Sequence, residues 1–252
     1  ENAFVVLAEV NALARQGKDI ISFCIGQPDF HTPTNIQDAA VKAIRDGRHG
    51  YTPSAGITEL REAAAKYMGS MRGLKISPDD VVIGGGAKPF IAYTILTTTD
   101  AGKGDEVIYP NPGFPIYESQ ILACGAVPVP LALRESRNFA FDPAELEARI
   151  TPRTKLLILN SPHNPTGGIL TKRDLEDIAA VMRKHPNIWI YADEIYSRLC
   201  YEGEFSSIAS LPGMYERTII SDGASKTWAM TGWRIGFASN PILAPQFIRW
   251  VT

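Results

Sequence analysis

Residues 155–193 read KLLILNSPHNPTGGILTKRDLEDIAAVMRKHPNIWIYAD. The first six, KLLILN (155–160), form a short continuous apolar run, the pattern of a strand buried on both faces. SPHNPTGG (161–168) is a turn by composition, with Pro162, Pro165 and Gly167. LTKRDLEDIAAVMRKH (170–185) has the helical period and a cap at Thr171. IWIYAD (188–193) is again a buried strand. Two apolar strands joined through a helix predict a parallel pair with a right-handed crossover.

The same alternation runs outward from there. DVVIG (80–84) is strand-like, and a glycine run leads from it into the helical pattern KPFIAYTILTTT. EVIYP (106–110) leads through NPGFP into the helix IYESQILACG. AVPVPL (126–131) is a strand interrupted by prolines, which assigns it to a sheet edge. DPAELEARI (142–150) carries an Asp N-cap with Glu145 three residues on, a capping-box pattern. TIISD (218–222) is a further buried strand. The predicted fold is α/β, three-layered α/β/α with a mostly parallel sheet. Residues 1–30 precede the alternation and begin with an amphipathic helix. They are assigned to a smaller domain, residues 31–245 to the large domain, and 246–252 to the start of an interdomain helix. The chain begins and ends inside helical patterns, so it is expected to be cut at both ends.

Composition narrows the class. The 252 residues are 45% hydrophobic and 21% charged, ordinary for a globular chain, with a net charge of −2. No basic excess points to nucleic acid or an anionic membrane. No apolar run approaches the roughly 18 residues of a membrane span. Cys24, Cys124 and Cys200 are scattered and odd in number, which disfavours a disulfide framework or a zinc site and suits a reducing cytoplasm. No metal site is predicted.

In open parallel sheets ligands bind beyond the carboxyl ends of the strands. That rule selects Gly84 to Lys88, Asn111 to Phe114, Ser161 to Gly168, Asp193 to Tyr196 and Asp222 to Lys226. VVIGGGAKPF is a strand, glycines and a helix start, equally a tight capped turn or a phosphate cup. Asp193 is either a helix N-cap or an anion facing a cationic ligand atom. Tyr196 lies three residues on. Asn164 can bond its own turn or offer its amide to a ligand oxygen. Lys226 sits among small residues, where partial desolvation would make it a nucleophile toward carbonyls. Arg234 suits a phosphate. Taken singly, each has a structural reading. Taken together they describe pyridoxal 5′-phosphate: a phosphate, an aldehyde, a pyridine nitrogen needing a carboxylate, and a phenolic oxygen needing donors.

These stretches resemble the fold-type I, class I/II aminotransferases. The resemblance is carried by GQPDF (26–30), YTPSAGITELREA (51–63), GGAKP (85–89), NPGFPIY (111–117), SPHNPTGG (161–168), YADEIYS (191–197) and SKTWAMTGWRIGF (225–237), in family order. It implies covalent attachment of Lys226 to the cofactor aldehyde, followed by proton transfer by the same amine. It implies Asp193 at the pyridine nitrogen, and Asn164 and Tyr196 at the phenolic oxygen. Phe114 would stack on the ring. Gly86, Ala87, Lys88, Ser225 and Arg234 would hold the phosphate, and Gly26 would lie near the substrate carboxylate, with Asn164 also facing substrate. Tyr51 resembles the tyrosine that family members lend to the neighbouring subunit's phosphate, which implies a homodimer.

Two departures stand out. Gly223 occupies a position, three before the lysine, where many family members carry Ser; either one hydroxyl to the phosphate is missing or Ser225 serves instead. Family members also continue well past the point where residue 252 falls, into a part that carries an arginine for the substrate α-carboxylate. The 252-residue chain alone is therefore expected to bind the cofactor poorly or not at all and not to transaminate efficiently. The activity implied is cytoplasmic amino-group transfer between an L-amino acid and a 2-oxo acid. A lyase or synthase on the same scaffold, or a non-catalytic cofactor- or amino-acid-sensing module, are the alternatives. His31, His49, His163 and His185 are read as surface or turn residues, and Trp228 and Trp233 as packing for the lysine helix.

Overall fold

The computed structural model describes residues 3–252. Seven strands form one sheet: β1 (Val81–Gly84), β2 (Glu106–Asn111), β3 (Val127–Ala132), β4 (Thr154–Asn160), β5 (Trp189–Asp193), β6 (Thr218–Gly223) and β7 (Gly236–Ser239). Their spatial order is β1-β7-β6-β5-β4-β2-β3. The β3–β2, β2–β4, β4–β5 and β5–β6 pairs are parallel, and β7 runs antiparallel to both neighbours. The proline-bearing β3 is an edge strand, as its sequence predicts. Pro128 and Pro130 cannot donate to a ladder, and only one side of this strand is paired.

The helices are α1 (Ala3–Arg15), α2 (Thr34–Arg45), α3 (Thr58–Arg72), α4 (Pro89–Thr98), α5 (Ile116–Ala123), α6 (Pro143–Arg149), α7 (Lys172–Lys184), α8 (Ala224–Thr227) and α9 (Ala244–Val251). Alternate strand residues feed opposite layers, as a pleat requires. Val107, Leu156, Ile158 and Tyr191 pack with Phe90, Ile91, Tyr117, Ile121 and Phe247 of α4, α5 and α9. Ile108, Leu157, Leu159 and Ile190 pack on the other face with Leu175, Ile178 and Met182 of α7. A third cluster joins Ala64, Ala65 and Met68 of α3 to Val81, Ile220 and Phe237. This is the expected three-layer α/β/α arrangement.

The caps differ in one detail from the sequence reading. Thr171 and Asp174 form a reciprocal capping box at α7. Asp142 caps α6 through the Ala144 and Glu145 amides, but Glu145 turns away and pairs with Arg134 and Arg149. Opposite charges within reach compete with the box for that carboxylate.

Candidate functional site

The site grows from the parallel register. Asn160 of β4 lies beside Asp193 of β5, and Asp193 beside Ser221 of β6. Asn160 and Asp193 therefore end two neighbouring buried strands, with Ser221 beside them near the carboxyl end of a third. The Asn160 amide donates to the backbone carbonyls of Asp193 (2.9 Å) and Pro162 (3.3 Å). Its own carbonyl accepts from the Asn164 backbone N–H at 2.8 Å. That clasp folds the SPHNPTGG turn over the end of β5 and aims Asn164 at Tyr196. The Asn164 amide donates to the Tyr196 hydroxyl at 3.3 Å.

Asp193 is 7% exposed. The Tyr117 hydroxyl donates to its Oδ2 at 2.8 Å, and the Ile195 amide reaches Oδ1 at 3.5 Å. An ionised carboxylate can accept about four hydrogen bonds, so room remains for a further donor. Burial pushes its pKa up to about 6, against the lowering effect of Tyr117, and Asp222 and Glu194 add to the rise. A carboxylate in this state favours a cationic partner. Burial, with the Asp193 charge adding to it, also pushes the Tyr196 phenol up to about 12. Tyr117 was not among the sequence candidates. It is fully buried on α5, and only the fold reveals that its hydroxyl meets Asp193.

Lys226 sits on the four-residue α8, which begins where β6 ends. Its amine is half-buried, 5.8 Å from the centroid of the Tyr196 ring, and burial lowers its pKa. It donates to the Gly26 carbonyl, so the GQPDF segment lies directly over the amine. Thr32 pins that segment. Its hydroxyl donates to the Ala229 carbonyl at 2.7 Å and accepts from the Trp233 indole at 3.1 Å.

At the other end, Arg234 meets the glycine run. It donates to the Gly85 carbonyl at 3.1 Å and to the Thr231 carbonyl at 3.0 Å. Gly86 has φ +96°, and a Cβ there would stand 2.3 Å from the Arg234 guanidinium. A Cβ on Gly236 would stand 2.1 Å from the Gly86 carbonyl carbon and 2.2 Å from the Ala87 nitrogen. The glycine loop thus rests on β7, backbone against backbone, because neither glycine carries a side chain. Arg234 itself has φ +59°, an uncommon region for a residue with a Cβ. Such strain concentrates at functional sites. Ser225 is buried beside Lys226, whereas Lys88 is exposed at the helix start. At Gly223 a Cβ would lie 3.0–3.1 Å from Ile235, Gly236 and Ile195, so a serine there would require these neighbours to give by a few tenths of an ångström.

Phe114 is half-buried, its ring edge-on to Tyr117 at 5.8 Å. Tyr51 is fully exposed, at 110% relative accessibility. His163, read as a surface or turn residue, lies in its turn but is buried. Its Nδ1 is 2.8 Å from the Thr166 hydroxyl, and burial lowers its pKa to about 4. Trp228 packs on Tyr67 (ring centroids 5.0 Å apart), so its packing role holds.

Residues 18–242 match the family model described as "Aminotransferase class I and II". The chain belongs to this family. It is 41% identical over 239 residues to the aspartate/prephenate aminotransferase of Cereibacter sphaeroides, spanning 94% of this chain and 59% of that protein. It is 40% identical to the Petunia hybrida bifunctional aspartate aminotransferase and glutamate/aspartate-prephenate aminotransferase, spanning 92% of this chain and 48% of that one. Among solved structures, Thermus thermophilus aspartate aminotransferase with maleate superposes with a TM-score of 0.95 at 36% identity, covering 100% of this chain and 65% of the other. The chain thus spans about half to two thirds of the length of these class I and II aminotransferases. Among the described residues, no helix is long and apolar enough to cross a membrane.

Proposed function

We propose that this chain carries the cofactor-binding half of an aminotransferase that uses pyridoxal 5′-phosphate. The observation that carries the reading is the buried, under-donated carboxylate of Asp193 at the same sheet edge as the half-buried amine of Lys226. The residues present fit the group. Asp193 has acceptor capacity left for a protonated ring nitrogen, and the Asn164–Tyr196 pair supplies donors for a phenolic oxygen. The Gly86 loop, Ala87, Lys88, Ser225 and Arg234 supply a phosphate site, and Phe114 a ring face. When bound, the cofactor supplies an electron-withdrawing ring that stabilises negative charge at the substrate α-carbon.

The chain's own residues then have separate tasks. Lys226 would provide the amine that condenses with the cofactor aldehyde, with loss of water, and once set free by an incoming amino group it would serve as the base for the α-proton; its lowered pKa brings it nearer the working pH of a general base. Asp193 would face the ring nitrogen as its ion-pair partner, and Tyr117 holds Asp193 in place. Gly26 and Asn164 lie on the substrate side. The net reaction exchanges the amino group of an L-amino acid with the oxo group of a 2-oxo acid. Aspartate appears in the names of the Cereibacter, Petunia and Thermus proteins, so it is the first amino donor to test.

Residues 1–30 are assigned to a smaller domain, residues 31–245 to the large domain and 246–252 to an interdomain helix. The exposed Tyr51 is assigned to the phosphate site of a second copy, which makes the working unit a homodimer. The three free thiols, Cys24, Cys124 and Cys200, fit a reducing cytoplasm.

Incubation with pyridoxal 5′-phosphate, L-aspartate and 2-oxoglutarate tests the reading. Glutamate formed in step with oxaloacetate supports it. Release of ammonia without glutamate would assign lyase chemistry instead, and no conversion by the protein extended to its relatives' length would refute it.

A further inference from the structure

Behind the site lies an ion cluster that none of the roles above uses. Arg72, the last residue of α3, is buried together with Glu194 and Asp222. Its Nε donates to Glu194 Oε2 at 2.5 Å, its Nη2 to Asp222 Oδ2 at 3.0 Å, and its Nη1 to the Met68 carbonyl at 3.1 Å. The Ser210 hydroxyl donates to the Arg72 carbonyl at 2.8 Å, and the Phe205 ring lies 5.4 Å from the guanidinium. The Ser197 hydroxyl donates to Asp222 Oδ2 at 3.1 Å, and the Gly223 amide to Asp222 Oδ1 at 2.8 Å. Tyr67, also on α3, comes within 3.4 Å of the Ser197 hydroxyl.

The sequence positions of these partners carry the argument. Glu194 follows Asp193. Ser197 follows Tyr196. Asp222 precedes Lys226 by four residues and is the last residue but one of β6. The Glu194 amide also donates to the Ser221 carbonyl at 2.9 Å, the last rung between β5 and β6. One guanidinium fork from a distant helix therefore joins Glu194, next to Asp193, to Asp222, four residues before Lys226, and Asp222 in turn accepts from Ser197, next to Tyr196. Burying one cation with two carboxylates is a poor way to gain stability, since apolar replacements of such triads are often neutral or better. A planar fork with fixed donor directions is a good way to fix geometry. Burial opposes ionisation of both carboxylates, and the Arg72 charge acts against that effect.

We propose that Arg72 is a positioning residue: its fork ties the ends of β5 and β6 together and so sets the spacing of Asp193, Tyr196 and Lys226. The proposal rests on the cofactor reading for its consequence, but not for its geometry. Three variants are compared with the parent, one of them Arg72→Lys, which keeps the charge but not the fork. Arg72→Met removes the fork. Arg72→Met with Glu194→Gln and Asp222→Asn removes the fork and the buried charge together and is expected to fold where the single variant, with two uncompensated carboxylates, does not. Two readouts are taken: hydrogen exchange of the Glu194 amide, and pyridoxal 5′-phosphate trapped on Lys226 by borohydride. Loss of an outer-shell support of this kind costs about 10–100-fold, so both readouts should change by about tenfold or more in the triple variant, with Arg72→Lys intermediate. A folded triple variant with either readout within twofold of the parent overturns the proposal. If the parent, extended to its relatives' length, traps no cofactor, the cofactor reading fails, and amide exchange alone decides the fork.

Discussion

The two ends of the site are built by different physics. The Asp193 end is dry and supported by side chains from four elements: Tyr117 of α5, Asn160 of β4, and beyond them Glu194 and Asp222 held by Arg72 of α3. The Arg234 end is exposed and defined by backbone shape: Gly86 at φ +96°, Arg234 at φ +59°, and Gly236 in contact with the loop. At the first end the protein controls protonation through burial. At the second it controls the direction of amides and a guanidinium through conformations that few residues adopt. Substitutions should therefore act through charge and pH at one end and through backbone fit at the other.

The sharpest break of that contrast is Gly236→Ala. A methyl group cannot occupy a space 2.1 Å from a carbonyl carbon, so the glycine loop or β7 must move. We expect a loss of about 3 kcal/mol or more in urea unfolding, with a weakened phosphate site. Next is Asp193→Asn. The folded pKa of Asp193 is about 6, above the ordinary carboxyl range, so the unfolded chain loses this proton first. Stability should fall as pH rises from about 4 to about 6 and then level off. The Asn variant lacks this fall, so at pH 8 it should be more stable than the parent by about 2–3 kcal/mol, read from paired urea curves at pH 5 and pH 8. Cofactor affinity should drop at the same time.

A smaller effect is expected for Tyr117→Phe. It deletes the hydroxyl that lowers the Asp193 pKa, so the pH-dependent fall should extend above pH 6, with a cost of about 1–2 kcal/mol. The smallest is Arg234→Gly. It should relieve the left-handed backbone and raise stability by about 0.5–1 kcal/mol while weakening pyridoxal 5′-phosphate binding. If that variant lost stability and kept affinity, the exposed end would not be conformationally built.

Much of the sheet is legible because strands buried on both faces have no need to alternate, and KLLILN or TIISD announces itself by apolar continuity. The strand-end rule then locates Asn164, Asp193 and Lys226, and Arg234 follows from its place eight residues past the lysine. β7 escapes because its four residues, GFAS, lack a long apolar run and owe their burial to β1 and β6 on either side. Helices α2 and α3 precede the alternation that guided the reading. Tyr117 is hidden because an aromatic residue at helical spacing reads as core, which it also is. Arg72 is hidden for the opposite reason: an arginine in the last turn of a helix reads as a solvated cation complementing the helix dipole. Its two carboxylate partners lie 122 and 150 residues away. Asn160, the last residue of a strand, gives no local sign that it clasps a turn over its neighbour. What the sequence conceals is the second layer of support, because long-range pairing leaves no periodic trace.

The account depends most on the amine of Lys226. The direct test is to mix the protein with pyridoxal 5′-phosphate, reduce with borohydride, digest, and map the phosphopyridoxyl label by mass spectrometry. The account predicts one dominant labelled site, Lys226, lost in Lys226→Ala and diminished in Asp193→Asn. Label spread over exposed lysines such as Lys42 and Lys184, with Lys226 unmodified, would contradict it.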